Sequence, residues 1–336
     1  MPPQIRAVMD RRIFVVTITG GVLATPLAAL AQLAGSPARL GVLPFGSPSN
    51  PYDRSLVEAF RVGLREVGLV ENRDVVLDVA WIASEPETAQ AVSGLMQRGA
   101  KLLIPFGTSA SLAAKRQTST VPIVFVNVGN PVGSGLVESL SRPGGNVTGF
   151  SDILLDLSGK LVQFAQELGK PQATIHYLWY PGWADGQPRL QATERAAQTA
   201  GVKLRSQEIA DIAELNDVMA AMKKGGAVIL IIQPSPFTYR YRDRLADSAT
   251  RNGLGTIFAF PPAARGRALI AYGPDYADSC RRAASYVDRI LKGTKPADLA
   301  VQEPTKLELV INLKTATALG FTIPQSLLLQ ATEIIQ

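Results

Sequence analysis

The sequence predicts an α/β protein made of two doubly wound, parallel-sheet domains between which the chain crosses more than once. Three observations predict it. Short apolar runs bounded by turn residues alternate with helix-spaced patterns, the alternation occurs twice in tandem, and elements are left over at the end that neither series needs. At 336 residues the chain is also long for one core, since single cores stop growing beyond roughly 250–300 residues.

The first series opens with the strand-like "RLGVLPFG" (39–46) and the helix pattern "PYDRSLVEAFRVGLREVG" (51–68). It continues with "DVVLDVAWI" then "PETAQAVSGLMQRG", "KLLIPFG" then "SASLAAKRQ", and "PIVFVNVG" then "GSGLVESLSR". Strands and helices of these lengths imply right-handed crossovers and a sheet covered on both faces. The stretch "RPGGNVTGFS" that follows is turn chemistry, with glycines that permit backbone angles other residues resist.

The second series runs through helix "SGKLVQFAQELG", strand "ATIHYLWY", helix "QPRLQATERAAQTA", strand "VKLRSQEIA", helix "AELNDVMAAMKKG", strand "AVILIIQ", helix "TYRYRDRLADSATRNG" and strand "GTIFAF". The leftovers are "ALIAYG" (268–273), a long helix over 275–292 and the tail "LELVINLKTATALG" (307–320). They suit a chain that returns from one domain to the other.

Ahead of both series, "MDRRIFVVTITGGVLATPLAALAQ" (9–32) sets Arg11 and Arg12 before an apolar run that ends in a small-residue site, the layout of a secretory signal cleaved after Ala31. A membrane anchor is the alternative, disfavoured by Gly20, Gly21 and Pro26 within the run. Removing residues 1–31 takes away Arg6, Arg11, Arg12 and Asp10 and lowers the net charge from +6 to +4. Without a basic block in what remains, nucleic acid is excluded as a partner.

The single cysteine, Cys280, has no partner for an intramolecular disulfide and falls in a helix pattern as a small core residue. His176, the only histidine, lies in a strand-like run and has neither a second His nor a Cys with which to hold zinc. No metal and no cofactor is expected.

In open parallel sheets, ligands bind at the carboxyl ends of strands, where helix N-termini offer unpaired N–H groups. Those junctions here are rich in Gly, Ser, Thr, Asn and Pro, with Phe45, Tyr52, Phe106, Tyr180, Trp183, Phe237 and Phe260 close by. Thr108, Ser109 and Ser111 follow a strand and open a helix; they can hold a carboxylate or serve as ordinary caps. The aromatic residues can stack on a flat ligand or fill a core. Asp53, Asp185 and Asp275 are carboxylates at junctions, but no two have a spacing that marks acid–base chemistry. GxGxxG, Walker and GxSxG motifs are absent from the junctions, so the residues give no support to an enzyme.

Two long stretches carry a resemblance. "NPVGSGLVESLSRPGGNVTGFS" (130–151) and "AYGPDYADSCRRAASYVDRILKGTKPADLAVQEPTKLELVINLKTATALGFTIP" (271–324) closely resemble the substrate-binding components of ABC importers in the group that includes tryptophan- and tyrosine-binding lipoproteins and exported proteins. The resemblance implies the type I periplasmic-binding-protein fold, two lobes joined by three hinge crossings, and no catalysis. By analogy the crossings lie near Thr148–Ser151, Phe260–Ala271 and Gln302–Lys306. The lobes are then 36–149 plus about 268–302, and 150–265 plus about 303–336, following a signal peptide over 1–31.

The implied function is trapping of a small, aromatic, carboxylate-bearing ligand between the lobes and delivery to an inner-membrane permease. An exported ligand-sensing subunit of a signalling receptor with the same fold is the alternative. The candidate ligand contacts are Ser47, Ser49, Thr108, Ser109, Asn130, Trp183, Ser235 and Tyr272, with Asp275 as the candidate partner of a cationic group. Members of the family commonly have aspartate where Asn130 stands, and a neutral amide there weighs against an α-amino acid and toward an aromatic acid without the amine. Lipoprotein members carry a cysteine at the cleavage site where this chain has Gln32, so the mature protein is expected to be a soluble monomer in the periplasm.

Overall fold

The computed structural model describes residues 36–169, 174–183 and 185–336; the signal sequence and its cleavage after Ala31 lie outside them. Two sheets organise the chain from Ala38 onward. Among the described residues no helix is long and apolar enough to cross a membrane.

The first sheet holds β1 (Ala38–Leu43), β2 (Val75–Val79), β3 (Leu102–Pro105), β4 (Ile123–Val128) and β5 (Val147–Ser151) in the order β2-β1-β3-β4-β5, all parallel. Alternate residues of its strands enter two different cores. Leu40, Val42, Leu102, Ile104, Val124 and Val126 join one cluster, and Leu43, Leu103, Ile123 and Phe125 join the other. That is the period of two of a sheet buried on both faces.

Helix α1 (Pro51–Glu66) starts where Asn50 Oδ1 accepts the N–H groups of Tyr52 (2.9 Å) and Asp53 (3.3 Å), with Pro51 at its first position. Helices α2 (Thr88–Gln97) and α3 (Thr108–Gln117) cover the opposite face.

The segment after β4 departs from the prediction. "GSGLVESLSR" reads as a helix, but residues 131–146 form successive turns. The N–H groups of Leu136 and Val137 go back to the carbonyl of Pro131, and Glu138 N–H goes to Pro143. Glycines, serines and two prolines weaken helix formation, while Leu136 and Val137 are buried without it.

The second sheet has the order β12-β11-β10-β9-β8-β6-β7, built from β6 (Ile175–Trp179), β7 (Leu204–Glu208), β8 (Ile229–Ile232), β9 (Gly255–Phe258), β10 (Ile270–Pro274), β11 (Leu307–Asn312) and β12 (Glu333–Ile335). Its strands are parallel except that β10 and β11 meet antiparallel. Helices α4 (Ser158–Leu168), α5 (Gly186–Thr199), α6 (Leu215–Lys224), α7 (Pro236–Arg240) and α8 (Arg242–Arg251) fall within this half, followed by the short α9 (Pro262–Gly266). The single helix read over "TYRYRDRLADSATRNG" is two, broken at Tyr241.

Strand β10 differs from the sequence reading in place. The sequence assigns about 268–302 to the first lobe, yet β10 at the start of that stretch pairs with β9 and β11 of the second sheet, because its apolar run Ile270–Ala271 completes that core. The chain returns to the first half at Asp275, which caps α10 (Tyr276–Leu291) by accepting the N–H groups of Ala277 and Asp278. Helix α10 lies along α1 so closely that a Cβ on Gly63 would stand 2.0 Å from the Arg281 carbonyl oxygen. Beyond it, the backbone near Gln302 bonds to Gly149 (2.9 Å) and Ser151 (2.8 Å) before β11, α11 (Leu313–Leu319) and α12 (Gln325–Gln330) finish the second half. Cys280 is buried in α10 and His176 in β6, as small and half-polar core residues.

Candidate functional site

The carboxyl ends of β1, β3, β4, β6 and β8 face one another across a cleft of 540 Å³. This is where the geometry of parallel sheets directs a ligand. Its first-half wall comes from the turn after β1, the Trp81–Ala83 stretch after β2, Phe106 and Asn127; its second-half wall comes from Trp183, Ser235, Tyr239 and Arg242, with Asp152 and Tyr276 at the crossings.

The turn after β1 is shaped around a carboxylate. Gly46 has φ +118° and a Cβ there would lie 2.2 Å from Asp53 Oδ2. That space lets Asp53 fold back and accept the Ser47 N–H at 2.9 Å. Burial pushes the Asp53 carboxyl above its ordinary range, while the Ser47 bond and the positive charge of Arg242 from the other half oppose the shift.

A second charged group lies beneath the cleft. Arg189, only 2% exposed, pairs with Asp152 at 3.1 Å and approaches Asp185 at 3.9 Å, and its guanidinium stacks on the Trp183 ring at 4.9 Å. Burial disfavours its charge, but Asp152 and then Asp185 outweigh that and hold its proton more firmly than usual. Burial in turn raises the Asp152 carboxyl against the pull of Arg189.

The halves touch directly. Thr108 at the start of α3 donates its hydroxyl to Asp185 Oδ2 at 2.6 Å, both groups buried. Gly129 abuts the arginine so closely that a Cβ would meet Arg189 Nη2 at 2.1 Å. Aromatic rings span the same divide: Tyr52 lies 5.7 Å from Tyr239 and 5.0 Å from Phe260, edge to face in the latter pair. Desolvation drives the phenols of Tyr52, Tyr239 and Tyr276 well above their ordinary pKa, so they stay neutral donors. These contacts make the conformation a closed one.

Of the residues predicted from sequence, Ser47, Ser49, Trp183 and Ser235 line the cleft. Ser47 and Ser49 share a hydroxyl hydrogen bond of 2.7 Å, and the Ser235 hydroxyl accepts Thr238 N–H in a capping box. The others do not line it. The Thr108 hydroxyl is engaged by Asp185, and Ser109 is the next residue of α3. Asn130 folds onto its own turn, accepting the Gly133 N–H at 2.8 Å. Tyr272 packs edge-on against Phe164 at 5.2 Å in the second core, and Asp275 is spent on capping α10.

The sequence reading does not place Asp53, Asn127, Asp152 and Arg242 among the cleft residues, and all four line it. Asp53 had a legible signal, a carboxylate three residues after a capping Asn, whereas Asp152 reaches the cleft at a chain crossing and Arg242 through the break between α7 and α8 at Tyr241. Asn127 has φ +59° and a buried Oδ1 with no hydrogen-bond partner, beside the cleft. Among the described residues there is no group of His, Cys, Asp and Glu able to hold a metal.

The profile of the family described as "ABC transporter substrate binding protein" matches residues 49–335. A tyrosine-binding protein of Clostridioides difficile (strain R20291) is 23% identical over 264 residues, 78% of this chain and 75% of the relative. Among solved structures, a conserved domain protein from Vibrio cholerae O1 biovar El Tor is 25% identical with a TM-score of 0.82, covering 88% of this chain and 99% of that one. The structure of an ABC domain in complex with L-Trp from Streptococcus pneumonia shares the fold at 24% identity and TM-score 0.81, over 89% of this chain and 100% of that one.

Proposed function

Because the chain belongs to the family of ABC transporter substrate binding proteins, which bind their cargo without transforming it, we propose that its cleft traps a small aromatic ligand bearing a carboxylate and an ammonium group. Family membership implies an extracytoplasmic site of action and a membrane permease as partner. We assign the mature protein to the periplasm as a soluble monomer released by cleavage after Ala31.

The observation that carries the reading is the composition of the cleft. Aromatic walls, Trp81 and Phe106 on one side and Trp183 and Tyr239 on the other, enclose a space with Asp53 at one wall and Arg242 at the other. A flat ring is desolvated between the walls, an ammonium pairs with Asp53 and a carboxylate with Arg242. Asn130 no longer argues against an amino acid, since its amide caps its own turn and Asp53 supplies the negative charge. The two relatives described as binding tyrosine or L-Trp support the same chemistry.

The test is a thermal-shift screen of the mature chain, followed by calorimetry, against L-tryptophan, L-tyrosine, aromatic acids without the amine, and non-aromatic amino acids. Aromatic amino acids raise the unfolding midpoint by mass action. Stabilisation by non-aromatic compounds alone refutes the proposal.

A further inference from the structure

A second chamber of 310 Å³ adjoins the cleft on its outer side. Phe45, Ala83, Trp183, Pro236 and Arg240 line both spaces, so the two share a wall. That chamber alone reaches the lower end of the ~300–1,000 Å³ typical of small-molecule sites.

One part of the dividing wall is weakly held. At the divide Arg240 Nη1 reaches the Ala83 carbonyl of the opposite half at 3.5 Å, the weak limit of a hydrogen bond, and Arg240 is exposed on a long side chain. The outer chamber is mixed in character, with Ile212, Phe237 and Tyr241 in its lining beside Ser84, Asp211 and Arg240. Tyr180 and Phe237 stack face to face at 4.7 Å and 6° and give it a flat, preformed wall.

Resting on the reading of the cleft as a site for aromatic amino acids, we propose that the two chambers form one bipartite site for short peptides whose first residue is aromatic. The first residue occupies the inner chamber with its amino terminus at Asp53. One more residue lengthens the ligand backbone by about 3.5 Å and carries the terminal carboxylate away from the inner wall. Arg240, at the junction, receives that carboxylate, and the second side chain enters the outer chamber. A single amino acid leaves the outer chamber to solvent, and Arg240 then keeps its contact with Ala83.

Calorimetry with L-tryptophan and with the dipeptide Trp-Leu tests this on wild type and on two variants, Ala210→Trp and Ser84→Trp. Ala210 and Ser84 line the outer chamber from opposite halves and do not line the inner one. The expected result is Trp-Leu affinity within about tenfold of L-tryptophan in wild type, a loss of at least tenfold for Trp-Leu in either variant, and L-tryptophan affinity within about twofold throughout. The two positions make the outcome independent of one variant's folding. Binding of L-tryptophan without Trp-Leu overturns the bipartite site and leaves the aromatic reading standing, as does equal Trp-Leu binding by wild type and both variants. Binding of neither ligand overturns the bipartite site, and overturns the aromatic reading with it when L-tyrosine and the aromatic acids also fail to bind.

Discussion

Replacing Thr108 with valine tests whether closure is held by the buried hydrogen bond that Thr108 makes across the cleft. The substitution keeps the shape of the side chain and removes the one O–H that joins α3 to Asp185 at 2.6 Å. Asp185 keeps Arg189 at 3.9 Å, so its charge is not left alone, and the loss is that of one buried bond to a charged acceptor, about 1.5–3 kcal/mol. The bond exists only when the lobes are together, so in a protein that is open without ligand the whole loss falls on the bound state. At about 1.4 kcal/mol per factor of ten, affinity should fall roughly 10- to 150-fold. Calorimetry with L-tryptophan measures it, and stopped-flow should place most of the change in dissociation. Thr108→Ser restores the donor and should recover affinity to within about threefold. A folded Thr108→Val protein that binds within twofold of wild type would refute the latch.

Three further outcomes follow from the same geometry. Because burial raises the Asp53 carboxyl, it takes up its proton above the ordinary carboxylate range; affinity for an ammonium ligand should therefore begin to fall at a higher pH than a free carboxylate predicts, and Asp53→Asn should flatten that dependence in calorimetric titrations from pH 7 down to 4. For stability the sign is reversed. A raised folded pKa means the native state binds the proton more readily, so this group disfavours folding above its folded pKa, and Asp53→Asn should leave neutral-pH urea stability unchanged or slightly higher. Gly63→Ala places a methyl 2.0 Å from the Arg281 carbonyl and should force α1 and α10 apart, costing about 1–3 kcal/mol in urea unfolding.

The fold was legible because both sheets announce themselves in the same way. Buried strands such as Ile229–Ile232 and Leu102–Pro105 are continuous apolar runs, and each is followed by a helix period. The helix expected after β4 failed because its apolar spacing was real but local: Leu136 and Val137 are buried, and turns bury them as well as a helix would. The position of β10 was illegible for a different reason. Nothing in "ALIAYG" says which of two sheets will accept it; that is decided by the pairing with β9 and β11.

The site was legible where it sits on junctions and illegible where it depends on closure. Ser47, Ser49, Trp183 and Ser235 follow strands and face the cleft, as the junction rule requires. Thr108 follows a strand too, but closure hands its hydroxyl to Asp185, and no local pattern reports a residue 77 positions away. Asn130 and Asp275 have side chains suited both to ligands and to capping backbone N–H groups, and each has taken the second role.

Recognition and closure are tied together by one chain of contacts. Trp183, a cleft wall, rests on the Arg189 guanidinium; Arg189 is paired to Asp152 just after β5, where the chain leaves the first sheet; and Asp185 beside it takes the Thr108 hydroxyl from the opposite half. A ring that presses on Trp183 therefore bears on the group that sets the crossing and, through Asp185, on the latch. Two donors of that arginine, Nε and Nη1, are buried without hydrogen-bond partners. A buried charge with spare donors is costly unless its carboxylates stay in place, which makes the open form, where Thr108 and Gly129 withdraw, the one in which water can reach it. Hydration of Arg189 should then favour opening, and the ligand and the latch together should favour closing, so a ligand too small to reach Trp183 should bind without securing closure.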